Sequence, residues 1–266
     1  MSLDSAGEKW TADRVAELLL AAEAAATARG SINAEWQEFD VTTAYAAQDL
    51  ALEMRRARGE SVVGVKLGLT SRAKQLQMHY DQPSVAWLTD VMEFSEATPI
   101  PRHRLIHPRA EPEIVFQLGR RLAGPGVTAA SAIASVSAVM GGIEILDSRY
   151  SGFKFTLADG IADNNSSGLY VTGPLQLPPQ GLDLSLEGCL LEVDGKIIDS
   201  AAGAAILGHP ARALAFAANK LVERGQALEA GWIVLTGGLT EAVPIAKGAR
   251  VAAHFTNLGS LTIAGG

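Results

Sequence analysis

The chain contains a single cysteine, Cys189, among 266 residues. An intrachain disulfide and a zinc site built from several cysteines are therefore excluded. A lone thiol in a largely apolar run is typical of a small core residue. The sequence also lacks a cluster of basic residues. Its 22 Lys and Arg are outnumbered by 29 Asp and Glu, which gives a net charge of -7. Nucleic-acid binding needs clustered positive charge, so we expect no nucleic-acid partner.

Long apolar runs are absent too. No stretch reaches the ~18 to 20 apolar residues that span a bilayer, and the polar start of the chain lacks a secretory signal pattern. We therefore expect a cytoplasmic protein with no membrane partner. The HExxH, Walker A and GxSxG patterns are missing, which leaves their chemistries without support. With 48% hydrophobic and 19% charged residues, the composition is that of a folded chain.

The N-terminal part has helical periodicity. Apolar residues recur at helical spacing over residues 11–28, which Gly30 follows, and again over residues 41–58, which Gly59 follows. Glycine just beyond the last periodic residue is a common helix terminator. The pattern predicts an N-terminal helical segment over residues 1–60.

From residue 61 onwards the pattern favours strands. β-branched and apolar runs bounded by turn residues predict strands at residues 62–69, 113–118, 142–147, 168–172, 184–193, 232–235 and 250–255. Helices are predicted at residues 129–137 and 210–224, and Asp194 with Gly195 predicts a hairpin turn. Residues 61–266 therefore form an α+β domain with a mixed or antiparallel sheet, which we expect to be catalytic.

Two glutamates, Glu111 and Glu113, flank a proline at the start of a predicted strand. Side chains at i and i+2 of a strand share one face, so both carboxylates point the same way. Like charges on one face repel unless a cation or a proton neutralises them. The alternative is an ordinary solvated strand end.

Glu144 lies among apolar neighbours on another predicted strand. Buried carboxylates are rarely left unpaired, so Glu144 either pairs with a base such as Arg149 or joins the other two glutamates. Three carboxylates without a cysteine or histidine cluster suit Mg²⁺ or Mn²⁺ rather than zinc.

Further polar groups interrupt apolar runs. Lys66 either alternates to a solvated face or faces the carboxylates, where it can bind a substrate carboxylate or move a proton. Two segments with glycine have two interpretations each: residues 163–168 (DNNSSG) and the loop with Gly237 and Gly238. Each is either an ordinary loop or a ligand-binding segment, in which glycine lets backbone N–H groups approach an anionic ligand.

Five motifs occur together in one order. They are KLGLTS at residues 66–71, HPRAEPE at 107–113, EILDSRY at 144–150, ADN at 162–164 and TGGLT at 236–240. Over about residue 40 to the C-terminus this set resembles the hydratase/decarboxylase branch of the fumarylacetoacetate hydrolase superfamily, whose enzymes act in meta-cleavage aromatic degradation.

This resemblance implies a mixed β-roll or barrel with an N-terminal helical segment, assembled as a homo-oligomer. It also implies Mg²⁺ or Mn²⁺ held by Glu111, Glu113 and Glu144, and a small 2-oxo acid chelated to that ion. Lys66 matches the active-site lysine of the family. The expected substrate-binding residues are Thr70, Arg149, Gly237 and Gly238.

Two sister activities share this family pattern. Hydratases of 2-hydroxypenta-2,4-dienoate typically carry an acid/base aspartate where this chain has Ser84, whereas decarboxylases of 2-oxohex-3-enedioate lack it. The chain also resembles the decarboxylases at residues 148–155, 207–210 and 237–244, so we expect a decarboxylase, with the hydratase as alternative. Ala86 and Asn165 depart from the usual glycine and alanine, which alters the expected edge of the pocket.

Three other expectations follow from the resemblance. Phe153, Phe155 and Trp87 are either core residues or an apolar wall beside the departing carboxylate. A hydrolase would need a water-activating His–Glu pair, for which His103 and His107 are the nearby histidines. A complex with the pathway hydratase, or a non-catalytic member of such a complex, is the remaining alternative.

Overall fold

The computed structural model describes residues 3–4 and 7–266. Its N-terminal part contains three helices: α1 (Ala12–Ala24), α2 (Ile32–Glu35) and α3 (Val41–Ala57). Thr11 and Asp40 cap α1 and α3, because each side chain accepts a hydrogen bond from a backbone N–H of the first turn. The predicted helices are confirmed, although α1 ends before the predicted residue 28, and Ala26 there has a φ of 44°.

Four more helices follow: α4 (Arg72–Gln77), α5 (Ala129–Ile133), α6 (Leu157–Ala162) and α7 (Pro210–Val222). The predicted helix at residues 129–137 is only partly right, because a strand begins at Val136. This segment pairs with a neighbouring strand, and tertiary pairing outweighs its local helical pattern.

Eleven strands make up the rest of the body. They are β1 (Val62–Gly68), β2 (Ser84–Thr89), β3 (Arg109–Leu118), β4 (Val136–Leu146), β5 (Ser167–Thr172), β6 (Gly188–Val193), β7 (Lys196–Ala202), β8 (Ile233–Leu235), β9 (Val243–Pro244), β10 (Arg250–Phe255) and β11 (Ser260–Ala264). The larger sheet has the order β2-β1-β8-β3-β4-β5, with β9 beside β3. Only β1 and β8 pair in parallel among these, so the predicted mixed sheet is confirmed.

The smaller sheet has the order β11-β10-β6-β7. Its β6–β7 hairpin turns at Asp194 and Gly195, with φ of 50° and 80°, as the sequence predicts. The two sheets meet at Gly141 of β4, where an added Cβ would lie 2.5 Å from the ring of Phe255. The larger sheet curls into a half-barrel, and this α+β architecture is the predicted fold class.

The N-terminal helices pack against α6. Trp10, Ile32 and Phe39 share an apolar cluster with Ile161 and Tyr150. Asp159 reinforces this contact by accepting hydrogen bonds from Ser31 Oγ at 2.6 Å and Asn33 N at 3.1 Å. The boundary between residues 1–60 and 61–266 stays a prediction. Over residues 3–4 and 7–266, no helix combines the length and apolarity needed to cross a membrane.

Candidate metal centre

Strand register brings the three predicted carboxylates together. Glu111 and Glu113 alternate on β3, and Glu111 lies directly opposite Glu144 of β4. Their exposed fractions are 6%, 0% and 1%. One carboxylate oxygen from each residue lies within 4.8 Å of the others, which is the spacing of ligands around one ion.

The electrostatics of this triad favour a bound cation. Burial, together with the nearby Glu144 and Glu111, raises the pKa of Glu113 well above its ordinary value. Burial also raises the pKa of Glu144, even though Lys66 opposes that shift. Within the described chain, Glu113 Oε1 and both oxygens of Glu144 accept no aligned hydrogen bond. Buried carboxylate oxygens without donors fit a hard divalent ion such as Mg²⁺, so the chain has a divalent-metal site.

Two lysines contact the triad. Lys66 of β1 is 3% exposed, lies 2.9 Å from Glu144 Oε1 as an ion pair, and donates a hydrogen bond to the backbone oxygen of Asn165. Lys74 of α4 lies 2.6 Å from Glu111 Oε1. Burial opposes its charged form, but Glu111, together with the nearby Glu241 and Glu113, outweighs burial and raises the pKa of Lys74. The sequence analysis missed Lys74, because only the tertiary fold places the first turn of α4 above β3.

The glycine loop after β8 supports the carboxylates directly. Gly237 N donates to Glu113 Oε2 at 2.6 Å. A Cβ at Gly237, whose φ is 112°, would lie 1.9 Å from Thr70 Oγ1, and a Cβ at Gly238 would lie 2.4 Å from Glu111 Oε2. The positive φ makes glycine necessary at residue 237, and a side chain at residue 238 would displace the Glu111 carboxylate. The structure places Thr70 and Gly238 on the cavity described next, whereas the N–H of Gly237 faces a carboxylate; their contacts with substrate stay predictions.

An open cavity of ≈ 670 Å³ lies beside the triad. Lys66, Thr70 and Glu111 line it near the carboxylates, and Phe153 and Phe155 line it further out. Phe153 also packs under Arg109, whose guanidinium carbon lies 4.2 Å from the ring centroid. Arg109 was missed in the sequence, although its position two residues before Glu111 on one strand puts both on the same face.

Trp87 does not line this cavity among the residues described. It is a core side chain whose indole N–H donates to Asp49 and whose ring lies edge-on to Trp232. Of the three aromatic residues considered for an apolar wall, Phe153 and Phe155 are at the cavity and Trp87 is not.

Arg149, the remaining predicted substrate-binding residue, makes its contacts within the protein. It is 3% exposed and forms an ion pair with Asp163. Its Nη1 donates to the backbone oxygens of Asp147 and Ser167, each at 2.7 Å. Arg149 is not among the described residues that line the cavity. Its donors are directed to protein acceptors, and its contact with substrate stays a prediction.

The histidines near the strand do not provide the pair that a hydrolase needs. His107 packs against Phe153 with 4.7 Å between ring centroids, and His103 is exposed. Within residues 3–4 and 7–266, the His–Glu ion pair is that of His254 with Glu192, on the smaller sheet.

Known proteins resemble this chain over most of its length. A 4-oxalocrotonate decarboxylase of Pseudomonas sp. (strain CF600) is 40% identical over 219 residues, covering 81% of this chain and 83% of that protein. A 2-keto-4-pentenoate hydratase of Burkholderia vietnamiensis is 38% identical over 222 residues, covering 84% and 85%. No protein-family model matches.

A solved structure agrees with the fold. The 4-oxalocrotonate decarboxylase from Pseudomonas putida G7, complexed with magnesium and adipate, superposes with a TM-score of 0.92 at 35% identity, covering 96% of this chain and 98% of that one.

The curled mixed sheet and its buried carboxylate triad define a metal-dependent enzyme of the fumarylacetoacetate hydrolase type. With relatives of this identity and coverage, the chain belongs to the hydratase/decarboxylase branch of the fumarylacetoacetate hydrolase superfamily. It is an enzyme of the meta-cleavage pathways that acts on a small molecule.

Proposed function

We propose that this enzyme decarboxylates 2-oxohex-3-enedioate (4-oxalocrotonate) to 2-hydroxypenta-2,4-dienoate and CO₂. The observation that carries this proposal is the buried triad of Glu111, Glu113 and Glu144 at one end of a cavity with room for a six-carbon acid. Mg²⁺ or Mn²⁺ is the proposed ion. The substrate has a 2-oxo acid head that oxygen-ligated ions bind well, and a second carboxylate at the far end.

Ser84 favours decarboxylation over hydration. It is buried at the cavity, where a hydroxyl is a poor general acid or base near neutral pH. Adding water to a diene requires proton delivery to carbon, whereas loss of CO₂ requires only that electrons be accepted. The decarboxylase relative named above is also slightly more similar in sequence than the hydratase.

The electron flow determines what the residues must do. The C5–C6 bond breaks, its electron pair forms C4=C5, the C3=C4 pair moves to C2=C3, and the C2 oxygen becomes an oxyanion. When bound, the ion supplies Lewis acidity to the 2-oxo acid head. Lys66 holds positive charge beside Glu144, where it can stabilise the developing oxyanion.

The remaining residues position the substrate. Thr70 and Gly238 line the cavity beside the triad and bind the 2-oxo acid head, and Gly237 holds Glu113 in place. Phe153 and Phe155 provide an apolar wall that limits water around the reacting carbons.

Hydration of 2-hydroxypenta-2,4-dienoate is the second candidate. The hydratase relative covers as much of the chain as the decarboxylase relative, so overall similarity supports both reactions. The side chain at residue 84 is the feature that separates them.

We further propose that the enzyme works as a cytoplasmic homo-oligomer, in a complex with the pathway hydratase that takes over the unstable dienol. Ile197 and Ile198 support an interface, since each is 52% exposed on the edge strand β7. Light scattering coupled to size exclusion tests the first statement, and co-elution with the purified hydratase tests the second.

The direct experiment follows CO₂ release and the ultraviolet spectrum of purified protein with 2-oxohex-3-enedioate and Mg²⁺. CO₂ release that EDTA abolishes and Mg²⁺ restores is the expected result. Hydration of 2-hydroxypenta-2,4-dienoate without CO₂ release from the dioate would replace this proposal with the hydratase.

A further inference from the structure

One corner of the cavity is polar and adjoins Lys66, the lysine that contacts Glu144. Gly68, near the end of β1, pairs in register with Ser84 of β2. A Cβ added to Gly68 would lie 2.9 Å from Ser84 Oγ and 3.3 Å from Asn165 Nδ2. Glycine at residue 68 therefore leaves room for the hydroxyl of Ser84 and the amide of Asn165, which approach each other over its Cα. All three residues line the cavity.

Hydrogen bonds of Asn165 and of its neighbour Asn164 hold the loop that carries Asn165. Its backbone oxygen accepts the hydrogen bond from Lys66 Nζ at 2.7 Å, and its φ of 51° lies in a region that asparagine tolerates better than most residues. The preceding Asn164 binds the backbone of Trp87 through both side-chain atoms, which anchors the loop. These contacts fix the backbone of the loop that carries Asn165.

The amide nitrogen of Asn165 has no acceptor in the protein. Asn165 Nδ2 is buried and, among residues 3–4 and 7–266, has no hydrogen-bond partner. A buried donor without an acceptor is costly, so such groups usually have a ligand or a water as partner. Because Asn165 lines the substrate cavity, a bound molecule can supply an acceptor for this donor.

The chemistry of the corner selects the acceptor. Asn165 Nδ2 and Ser84 Oγ are neutral donors, and two such donors match the two oxygens of a carboxylate. Neutral donors also suit a carboxylate that must leave as CO₂, because a full ion pair would stabilise the substrate anion more strongly than the transition state that disperses its charge. Arg109, stacked on Phe153, and Lys154 are the cationic alternatives at this cavity, besides the two lysines that contact the triad.

We propose that Asn165 and Ser84 bind the carboxylate of the substrate that is distal to the metal, and so select dioic over monoacid substrates. This inference rests on the proposed function for its substrate class. Asn165 is a specificity-determining residue in this assignment, and the corner over Gly68 is the subsite from which CO₂ departs.

The test measures binding, without turnover. In the presence of Mg²⁺, calorimetry gives the dissociation constants of 2-oxohexanedioate and 2-oxohexanoate, which share a head and differ only in the distal carboxylate. We expect wild-type protein to prefer the dioate. Asn165→Gly, which keeps the positive φ accessible, should lower that preference about tenfold, the size of one hydrogen bond to a charged group. Asn165→Asp should lower it further by repulsion, and Ser84→Ala should lower it less.

Controls separate this effect from net charge and from folding. Gln180→Glu adds the same charge as Asn165→Asp at an exposed position and should leave the preference unchanged. The Kd of the monoacid should stay within about twofold in every variant, which a general loss of structure would not allow.

An unchanged dioate preference in Asn165→Gly and Asn165→Asp would overturn the subsite, as would a preference that only Arg109→Gln removes. The two proposals fail separately. If the wild-type enzyme releases CO₂ but shows no preference for the dioate, the proposed function stands and the subsite is rejected. If Asn165→Gly removes the dioate preference but the wild-type protein releases no CO₂, the subsite stands and the proposed function is rejected.

Discussion

Two buried charged clusters of this protein differ in how their polar atoms are satisfied. The carboxylate triad brings three acids together, and Glu113 Oε1 and both oxygens of Glu144 accept no aligned hydrogen bond in the described chain. At Arg149, by contrast, the guanidinium pairs with Asp163 and donates to two backbone oxygens. Both clusters are buried, so burial alone does not distinguish them.

The difference separates a site that requires a ligand from one that is complete. Burial and then repulsion within the triad raise the pKa of Glu113, and a divalent cation removes that repulsion. The Arg149 cluster contains its own counter-charge, and adding a ligand would displace contacts that already exist. Unsatisfied buried acids thus indicate function here, and a satisfied buried ion pair indicates structure.

The largest effect is expected from Glu113→Gln. It removes one negative ligand, so Mg²⁺ binding should weaken strongly and turnover should fall about a thousandfold. Metal-free stability should stay equal or rise, because glutamine resembles the protonated acid that burial favours. Steady-state kinetics, Mg²⁺ calorimetry and urea denaturation measure the three quantities.

A matched control for this prediction is Glu187→Gln. Glu187 is equally buried, but it accepts hydrogen bonds from Asn257 N, Asn257 Nδ2 and Leu258 N. This variant should lose stability and keep its Mg²⁺ affinity. If Glu113→Gln retained full metal-dependent turnover, the triad would not be the metal site.

The next largest effect concerns the satisfied cluster. Arg149→Met leaves Asp163 buried without its counter-charge, which should lower the free energy of unfolding by about 3 to 5 kcal/mol in urea denaturation. Burial already raises the pKa of Asp163 to about 6, and loss of Arg149 raises it further. The protonated acid is then favoured at low pH, so the loss of stability should be smaller at pH 5 than at pH 8.

A different result would return Arg149 to the substrate. Normal stability combined with a raised KM would mean that its contacts with Asp163 contribute little and that it binds substrate. The double variant Arg149→Met, Asp163→Asn provides the control, since removing both charges should recover part of the lost stability.

The smallest of these effects is the pH dependence of stabilisation by Mg²⁺. The folded-state pKa values of Glu113 and Glu144 are raised, so the stability they contribute without metal is present below pH ~4.5 and is lost as pH rises. Bound Mg²⁺ compensates the ionised acids and should add about 2.7 kcal/mol at 100 times its Kd. The Tm gain should therefore be larger at pH 8 than at pH 5.5.

Differential scanning fluorimetry at the same Mg²⁺ concentration for both pH values measures this gain. Glu113→Gln, which cannot ionise at that position, should flatten its pH dependence. An equal gain in Tm at both pH values in the wild-type protein would show that ionisation of Glu113 and Glu144 is not coupled to Mg²⁺ binding.

Local patterns in the chain predict much of the fold. An apolar run that begins at Glu113 identifies the core of β3, and helical periodicity with a terminal glycine identifies α3. Each pattern depends on neighbours within a few residues. The segment after Ile133 shows the limit, because its helical pattern continues while strand pairing makes residues from Val136 part of β4.

The site shows the same limit. Glu111 and Glu113 could be grouped from spacing alone, since alternate residues of a strand share a face. Arg149 could not be placed that way: nothing within the EILDSRY motif shows that its guanidinium turns to Asp163 of the following segment. Lys74 was missed because α4 approaches β3 only in the folded chain.

The sequence by itself determined which residues carry charge within apolar surroundings, which of them share a strand face, and where most strands and helices lie. The tertiary structure decided which charges meet: Glu144 opposite Glu111, Arg149 with Asp163, and Asn165 beside Gly68. The physical reason is one of range. Periodicity acts between neighbours along the chain, whereas strand register and loop packing bring together residues that are tens of positions apart.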